Sequence, residues 1–239
     1  MKFLELTLPT PAENLACDEA LLDVCESGTG DEVLRLWEPR DYFVVVGYGN
    51  SVAREVNLEA CRAAGIPVLR RCSGGGTVLQ GPGCLNYTVI LKMTGSDQLQ
   101  TITGANKFVL ERNRIALQPL VNEPIEPKGQ TDLAIRDVKF SGNAQRRKRN
   151  HLIFHGTLLL DFDLALIEKY LPLPSQQPGY RHNRRHSDFL TNLNLPADSV
   201  KTALRSAWNA SESLHSIPID LVEELSETRY SADEWNLRL

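Results

Sequence analysis

Apolar and polar positions alternate at residues 3–8, Phe-Leu-Glu-Leu-Thr-Leu, which predicts a strand. Thr10-Pro11 then opens a helix, with threonine as cap and proline in the first turn. Leu15, Leu21, Leu22 and Cys25 give that helix an apolar face, and Gly28 stops it. The β-branched and aromatic runs Val33–Trp37 and Tyr42–Val46 surround a Pro39-Arg40-Asp41 turn and predict a hairpin. A short helix from Asn57 to Ala64 ends at Gly65. Strands are expected over Ile66–Arg71 and Asn86–Lys92, a mainly helical stretch over Asp97–Leu117, and two strands flanking a turn at Asp137–Ala144 and Leu152–Leu160. Three shorter helices should follow near 163–170, 198–208 and 218–228, with Pro172, Pro174 and Pro178 holding a loop open between the first two. Strands and helices do not alternate strictly. That favours an α+β fold, a mixed and largely antiparallel sheet flanked by helices, over a doubly wound parallel one.

Composition narrows the function classes. With 239 residues and 42% hydrophobic content the chain can bury its own core, and residues 1–239 read as a single domain. A net charge of -4 argues against a dedicated nucleic-acid binder. The five cysteines are odd in number and show no C-x-x-C spacing, so reduced thiols in a cytoplasmic protein are expected. No signal peptide and no membrane-length apolar run is read.

Three segments carry candidate chemistry. The first is Arg70-Arg71-Cys72-Ser73-Gly74-Gly75-Gly76-Thr77-Val78. Its glycines permit a tight turn whose successive amides form an anion-binding concavity, and arginines stand at its entrance. It lacks the G-K-[ST] of a phosphate loop and the helix that follows a dinucleotide fingerprint. The second is Asp132 to Ala144, where strand alternation puts Lys139 and Ser141 on one face and Val138 and Phe140 on the other. Gly142 then permits close backbone approach. Lys139 on a sheet floor would be a compact cation for a developing acyl-phosphate charge, whereas an ordinary strand lysine faces water. In the third, His155-Gly156 interrupts the apolar run from His151 to Asp161, consistent with a ligand or a neighbouring backbone close by, or with a structural histidine.

Taken in order, these segments, with Asn14-Leu15-Ala16-x-Asp18-Glu19-Ala20-Leu21-Leu22 ahead of them and Thr157-Leu158-Leu159 after His155-Gly156, resemble the lipoate–protein ligase family. That family groups with biotin–protein ligases and octanoyltransferases. The likeness extends over about residues 10 to 195, with later matches at Thr191-Asn192-Leu193 and around Tyr230 to Asn236. It implies the catalytic fold shared by biotin ligase and class II tRNA synthetases. It implies ATP-dependent formation of lipoyl-adenylate, usually with Mg²⁺, followed by attack of an acceptor lysine. Lys139 matches the lysine contacting acyl carbonyl and phosphate. Arg70 and Ser73, Gly74 and Gly75 match the loop lining the lipoyl and phosphate pocket. Asp132 matches an acidic position near nucleotide and metal, while His155 and Gly156 match a bordering strand. Gly76, Thr77, Asn86, Ser141, Gly142, Ala144 and Thr157 fall among the expected substrate- and nucleotide-binding positions.

The same resemblance implies partners: a lipoyl domain or a glycine-cleavage H-like protein as acceptor, and an accessory subunit in place of the C-terminal accessory domain that many relatives carry. Related transferases instead use a cysteine near the lysine strand or the His-Gly strand, and residues 119–161 contain none. A non-catalytic lipoate- or biotin-binding protein is the remaining alternative. Two basic clusters, Arg146-Arg147-Lys148-Arg149 and Tyr180–His186, are either solvated faces or a rim that steers an acidic acceptor.

Overall fold

The computed structural model describes residues 1–239. In chain order the elements are β1 (Lys2–Glu5), α1 (Pro11–Ser27), β2 (Val33–Trp37), β3 (Phe43–Val46), α2 (Val52–Glu55), α3 (Leu58–Ala63), β4 (Val68–Arg70) and β5 (Val78–Gln80). Then come β6 (Cys84–Lys92), α4 (Ile102–Leu117), β7 (Ile125–Lys128), β8 (Asp132–Ile135), β9 (Val138–Arg147) and β10 (His151–Leu159). The chain finishes with α5 (Ala165–Tyr170), α6 (His186–Phe189), α7 (Ala197–Ala207), β11 (Glu212–Ser213), α8 (Ile219–Leu225) and α9 (Asp233–Asn236).

The fold is the expected mixed one. Eight strands form a sheet in the order β11-β1-β2-β6-β10-β9-β8-β7, antiparallel apart from the two pairings of β1. One face is covered by α4 and α7 over a core that includes Leu36, Leu85, Phe140, Phe154 and Leu158. The other face is covered by α1 and α8 at one end, over Ile90 and Ile153. A separate three-stranded sheet, β4-β3-β5, stands beyond them. No helix is long and apolar enough to cross a membrane.

Local sequence accounts for several elements. Thr10 caps α1 and makes a reciprocal capping box with Glu13, and Gly28 closes it at φ 83°. The Asp97–Leu117 stretch splits into a single 3₁₀ turn and α4, whose cap is Thr101. The expected hairpin of Val33–Trp37 with Tyr42–Val46 does not form. β2 pairs with β1 and β6 in the large sheet, while β3 pairs with β4 and β5 in the small one. Both runs are wholly buried, so each has pairing partners far away in sequence, and the turn between them leads from one sheet to the other. The hairpin of β7 with β8 was not foreseen; Pro127 and Glu126 mask its pattern at the sheet edge.

The face assignment in β9 also needs correction. Leu133 pairs with Ser141 but Ala134 pairs with Lys139, so β9 carries one extra residue, Phe140, in a bulge. Phe140 enters the core under α4. Beyond the bulge, Ser141 and Asn143 point to that same helix-covered face, where Asn143 accepts from the Tyr87 hydroxyl at 2.7 Å and Ser141 Oγ lies 3.3 Å from Asn143 Nδ2. Lys139 therefore shares the opposite face with Gly142 and Ala144, not with Ser141.

Candidate active site

Between the open face of the large sheet and the small sheet lies a cavity of about 860 Å³. Its floor is read directly from strand register. One row runs Trp37, Asn86, Thr157, Gly142, Asp132 across β2, β6, β10, β9 and β8. The next row runs Arg35, Thr88, His155, Ala144. All of these but Arg35 border the cavity, as does Lys139.

Lys139 reaches over Gly142, where a Cβ would lie 2.6 Å from its ammonium nitrogen. The glycine thus makes room for the lysine as much as for a ligand. The ammonium pairs with Asp132 Oδ1 at 2.8 Å, and Asp132 Oδ2 accepts from the Tyr180 hydroxyl at 2.8 Å. Burial, then the Asp132 charge, raise the Tyr180 phenol above its ordinary value, so it stays a donor. No group of three or more His, Cys, Asp or Glu side chains is placed to hold a metal. Asp132 could serve a magnesium ion only together with phosphate oxygens of a bound nucleotide, and would have to release Lys139 or Tyr180 to do so.

The glycine loop lies over Ala144. A Cβ on Gly75, which adopts φ 84°, would lie 3.3 Å from that of Ala144, and one on Gly47 would lie 2.1 Å from the Gly75 carbonyl oxygen. Gly75, Gly76 and Thr77 border the cavity. Ser73 is buried, with Oγ 2.5 Å from His155 Nε2. His155 Nδ1 lies 3.5 Å from Asp18, which is fixed by Arg35 at 2.6 Å and by the Thr88 hydroxyl at 2.8 Å. Burial raises the Asp18 carboxyl, but Arg35, His155 and Thr88 outweigh it and leave it below the usual carboxylate range.

The two arginines at the loop divide. Arg70, expected in the pocket, turns away from it. Its guanidinium donates to the carbonyls of Gly47, Tyr48, Asn50, Trp235 and Arg238, and its backbone N–H to Asn236 Oδ1. It is a clamp between the 47–50 loop and the C-terminal segment. Arg71 is the arginine at the cavity. It donates to the Gly74 and Gly76 carbonyls at 2.6 and 2.7 Å and to Ser73 Oγ at 3.1 Å, and has no carboxylate partner. Burial lowers it from 12.5 to about 10. A buried cation without a counter-ion is a standing invitation to an anion. Sequence alone placed both arginines in one strand end and could not separate them.

Gly156 borders the cavity as expected, but a Cβ on it would point to the helix-covered side, 1.7 Å from Asn143 Oδ1, so its lack of a side chain lets that amide reach Tyr87. Residues without an expected role that border it include Asp18, Trp37 and Gln80. Gln80 donates to the Thr157 hydroxyl at 2.6 Å, which donates to Asn86 Oδ1 at 2.6 Å. The basic clusters are largely spent on internal partners. Arg146 pairs with Glu19, Arg147 with the Leu99 and Gln100 carbonyls, Lys148 with Asp23, and Arg185 with Glu168. Three of these cations, Arg146, Lys148 and Arg185, are thus paired with carboxylates, while Arg147 keeps its charge.

None of the five cysteines borders the cavity, and all are buried. Burial pushes the Cys72 and Cys84 thiols up to about 12.

Comparison with known proteins agrees with this architecture. The model of the lipoyl protein ligase A/B catalytic domain matches residues 10–207. Octanoyltransferase LipM of Lysinibacillus sphaericus is 26% identical over 99% of this chain and 98% of its own length. A protein of Aeropyrum pernix, provisionally named lipoate-protein ligase A, is 31% identical over 95% of this chain and 89% of its own. A crystal structure of lipoate-protein ligase A bound with ATP superposes with a TM-score of 0.77 at 25% identity, covering 99% of both chains.

Proposed function

Because the chain belongs to the lipoyl protein ligase A/B catalytic-domain family, we propose that it attaches lipoate to a lysine of an acceptor lipoyl domain through lipoyl-adenylate, with ATP and Mg²⁺. Its relatives divide between lipoate-protein ligases and octanoyltransferases, so acyl transfer of this general kind is the common ground. The observation that favours the adenylate route is that a buried guanidinium without a carboxylate partner, Arg71, and the Lys139 ammonium border one cavity that no thiol borders. A thioester route through cysteine would need an accessible, electropositive thiol. An adenylate route needs only positioned cations and amides.

In this reading the carboxylate of the acid lies between Lys139 and the amides of Gly75 and Gly76, with Arg71 behind them. Lys139 leaves Asp132 as the anion arrives and neutralises charge on the acyl oxygen and the α-phosphate. Asp132, so released, would hold Mg²⁺ against the phosphates; bound there, the ion supplies charge neutralisation for the leaving pyrophosphate. The ATP-bound relative supports nucleotide binding in the same fold. The acceptor lysine then displaces AMP. An accessory subunit for the first step is part of this proposal.

The test is stepwise. Pyrophosphate release with lipoate and ATP reports adenylation; the mass of an apo lipoyl domain reports transfer, with an acyl-carrier-protein thioester and no ATP as the rival donor. Lys139→Ala should slow both steps roughly a hundredfold, the scale for removing an electrostatic donor. Near-normal rates in both would remove Lys139 from the mechanism, and acylation from the thioester alone would replace the adenylate route.

A further inference from the structure

At one end of the cavity stands the Lys139–Asp132 pair. Toward Trp37 the cavity is lined by Leu15, Trp37, Phe43, Val45 and Val78, the arm into which an alkyl chain partitions. Register places Asn86 beside Trp37 and Gln80 beside Phe43. Yet this apolar arm carries three buried polar atoms with no hydrogen-bond partner: Trp37 Nε1, Asn86 Nδ2 and Gln80 Oε1. Trp37, Asn86 and Gln80 are 4%, 4% and 6% exposed. Buried polar atoms are otherwise almost always paired. The Thr157 hydroxyl accepts from one amide and donates to the other, so whichever way the pair is turned one amide acceptor and one amide donor are left over, here on Gln80 and on Asn86. The indole adds a second donor.

We infer that Trp37, Asn86 and Gln80 form a specificity subsite for the far end of the acyl group, selecting acids that carry hydrogen-bonding heteroatoms there over a plain alkanoate. This rests on the cavity being the acyl site, as proposed above. From Gly142, under Lys139, the floor row reaches Asn86 two strands away, about 10 Å at the usual strand spacing. That is about the length of an eight-carbon acid. The dithiolane sulfurs of lipoate, weak acceptors, would face the two donors. A hydroxyl at the same place would satisfy a donor and the Gln80 acceptor together. Octanoate would cover all three atoms and satisfy none, and a site built to hydrogen-bond discriminates strongly against such an analogue.

The experiment is calorimetric titration of the full chain, without ATP, using octanoate, lipoate and 8-hydroxyoctanoate. The wild type should bind lipoate and 8-hydroxyoctanoate at least about tenfold more tightly than octanoate, the scale of one unmade hydrogen bond. In Gln80→Leu/Asn86→Leu the preference for 8-hydroxyoctanoate should disappear and octanoate should tighten. Thr157→Val, close in volume, should weaken the preference by freeing both amides. Wild-type binding of octanoate as tightly as 8-hydroxyoctanoate overturns the subsite while leaving the acyl cavity intact, and needs no variant to fold. An unchanged ratio in the double variant also overturns it. Binding of none of the three acids instead overturns the acyl cavity, and the subsite with it.

Discussion

Arg70 and Arg71 are neighbours with opposite duties, and replacing each by methionine should separate them. Arg71 is lowered from 12.5 to about 10 by burial, so keeping its charge there costs about 3 kcal/mol. Against this stand its bonds to the Gly74 and Gly76 carbonyls, each worth about 1.5 kcal/mol or more for a charged donor. The two contributions roughly cancel, so Arg71→Met should move the melting temperature by only about 3 °C either way. Ligand binding is different. Removing one partner of a desolvated charge pair costs about 2 to 5 kcal/mol, so the dissociation constant for lipoate should rise at least about thirtyfold. Arg70 faces no cavity, and its loss strands five carbonyls. Arg70→Met should cost about 3 to 5 kcal/mol, a fall of roughly 6 to 20 °C, with binding by the folded fraction within about threefold of wild type. Differential scanning calorimetry and titration with lipoate on the same samples decide the matter. If Arg70→Met abolished binding while leaving the melting temperature alone, or Arg71→Met bound normally, the division of labour drawn from the hydrogen bonds would be wrong.

Gly156→Ala should cost about 2 kcal/mol or more by driving Asn143 from Tyr87, seen as a melting temperature lowered by roughly 4 to 8 °C; an unchanged value would mean the amide has another place to go. Stability should fall in acid. Burial, with help from Arg181 and Lys139, holds the His186 imidazole below 6.5 despite its bond to the Pro172 carbonyl, and Asp18 is held below 3.8. The unfolded chain therefore binds more protons at both groups. The urea midpoint should drop first as pH passes down through the histidine range and again below about pH 4, with no loss between pH 7 and 8 from either group; a midpoint that rises on acidification contradicts this. Iodoacetamide at pH 7.5 should leave all five cysteines of the native protein unmodified, and Cys72→Ala/Cys84→Ala should keep full acyl transfer; rapid alkylation coupled to inactivation would restore a thiol mechanism.

Much of this was legible in the chain. The capping residues of α1, the strands that carry Lys139 and His155 and the glycine bend at the cavity follow from local patterns. What escaped has a common cause. The side on which Lys139 emerges depends on the extra residue Phe140, and a bulge leaves no mark in the apolar and polar pattern of β9. Which of two adjacent arginines borders the cavity depends on carbonyls from residues 235 and 238. Asp18 sat in a helix motif without any sign that Arg35 and Thr88 would hold it on the sheet. Gln80 acquires meaning only beside Thr157, 77 residues later. Periodicity reports which face is buried; it is silent on partners brought from afar.

The Arg70 clamp bears on the order in which the molecule is assembled. Its partners Trp235 and Arg238 lie 165 and 168 residues downstream. During synthesis Arg70 can close on the carbonyls of Gly47, Tyr48 and Asn50, 20 to 23 residues upstream, but its Nε and Nη2 stay hydrated until residues 235 and 238 leave the ribosome. The large sheet can zip from shorter-range pairings such as β9 with β10, whereas closing so long a loop is slow. A nascent chain halted before residue 230 would thus own a nearly complete floor and an unfinished wall, a species suited to capture by chaperones rather than to premature use of its substrates.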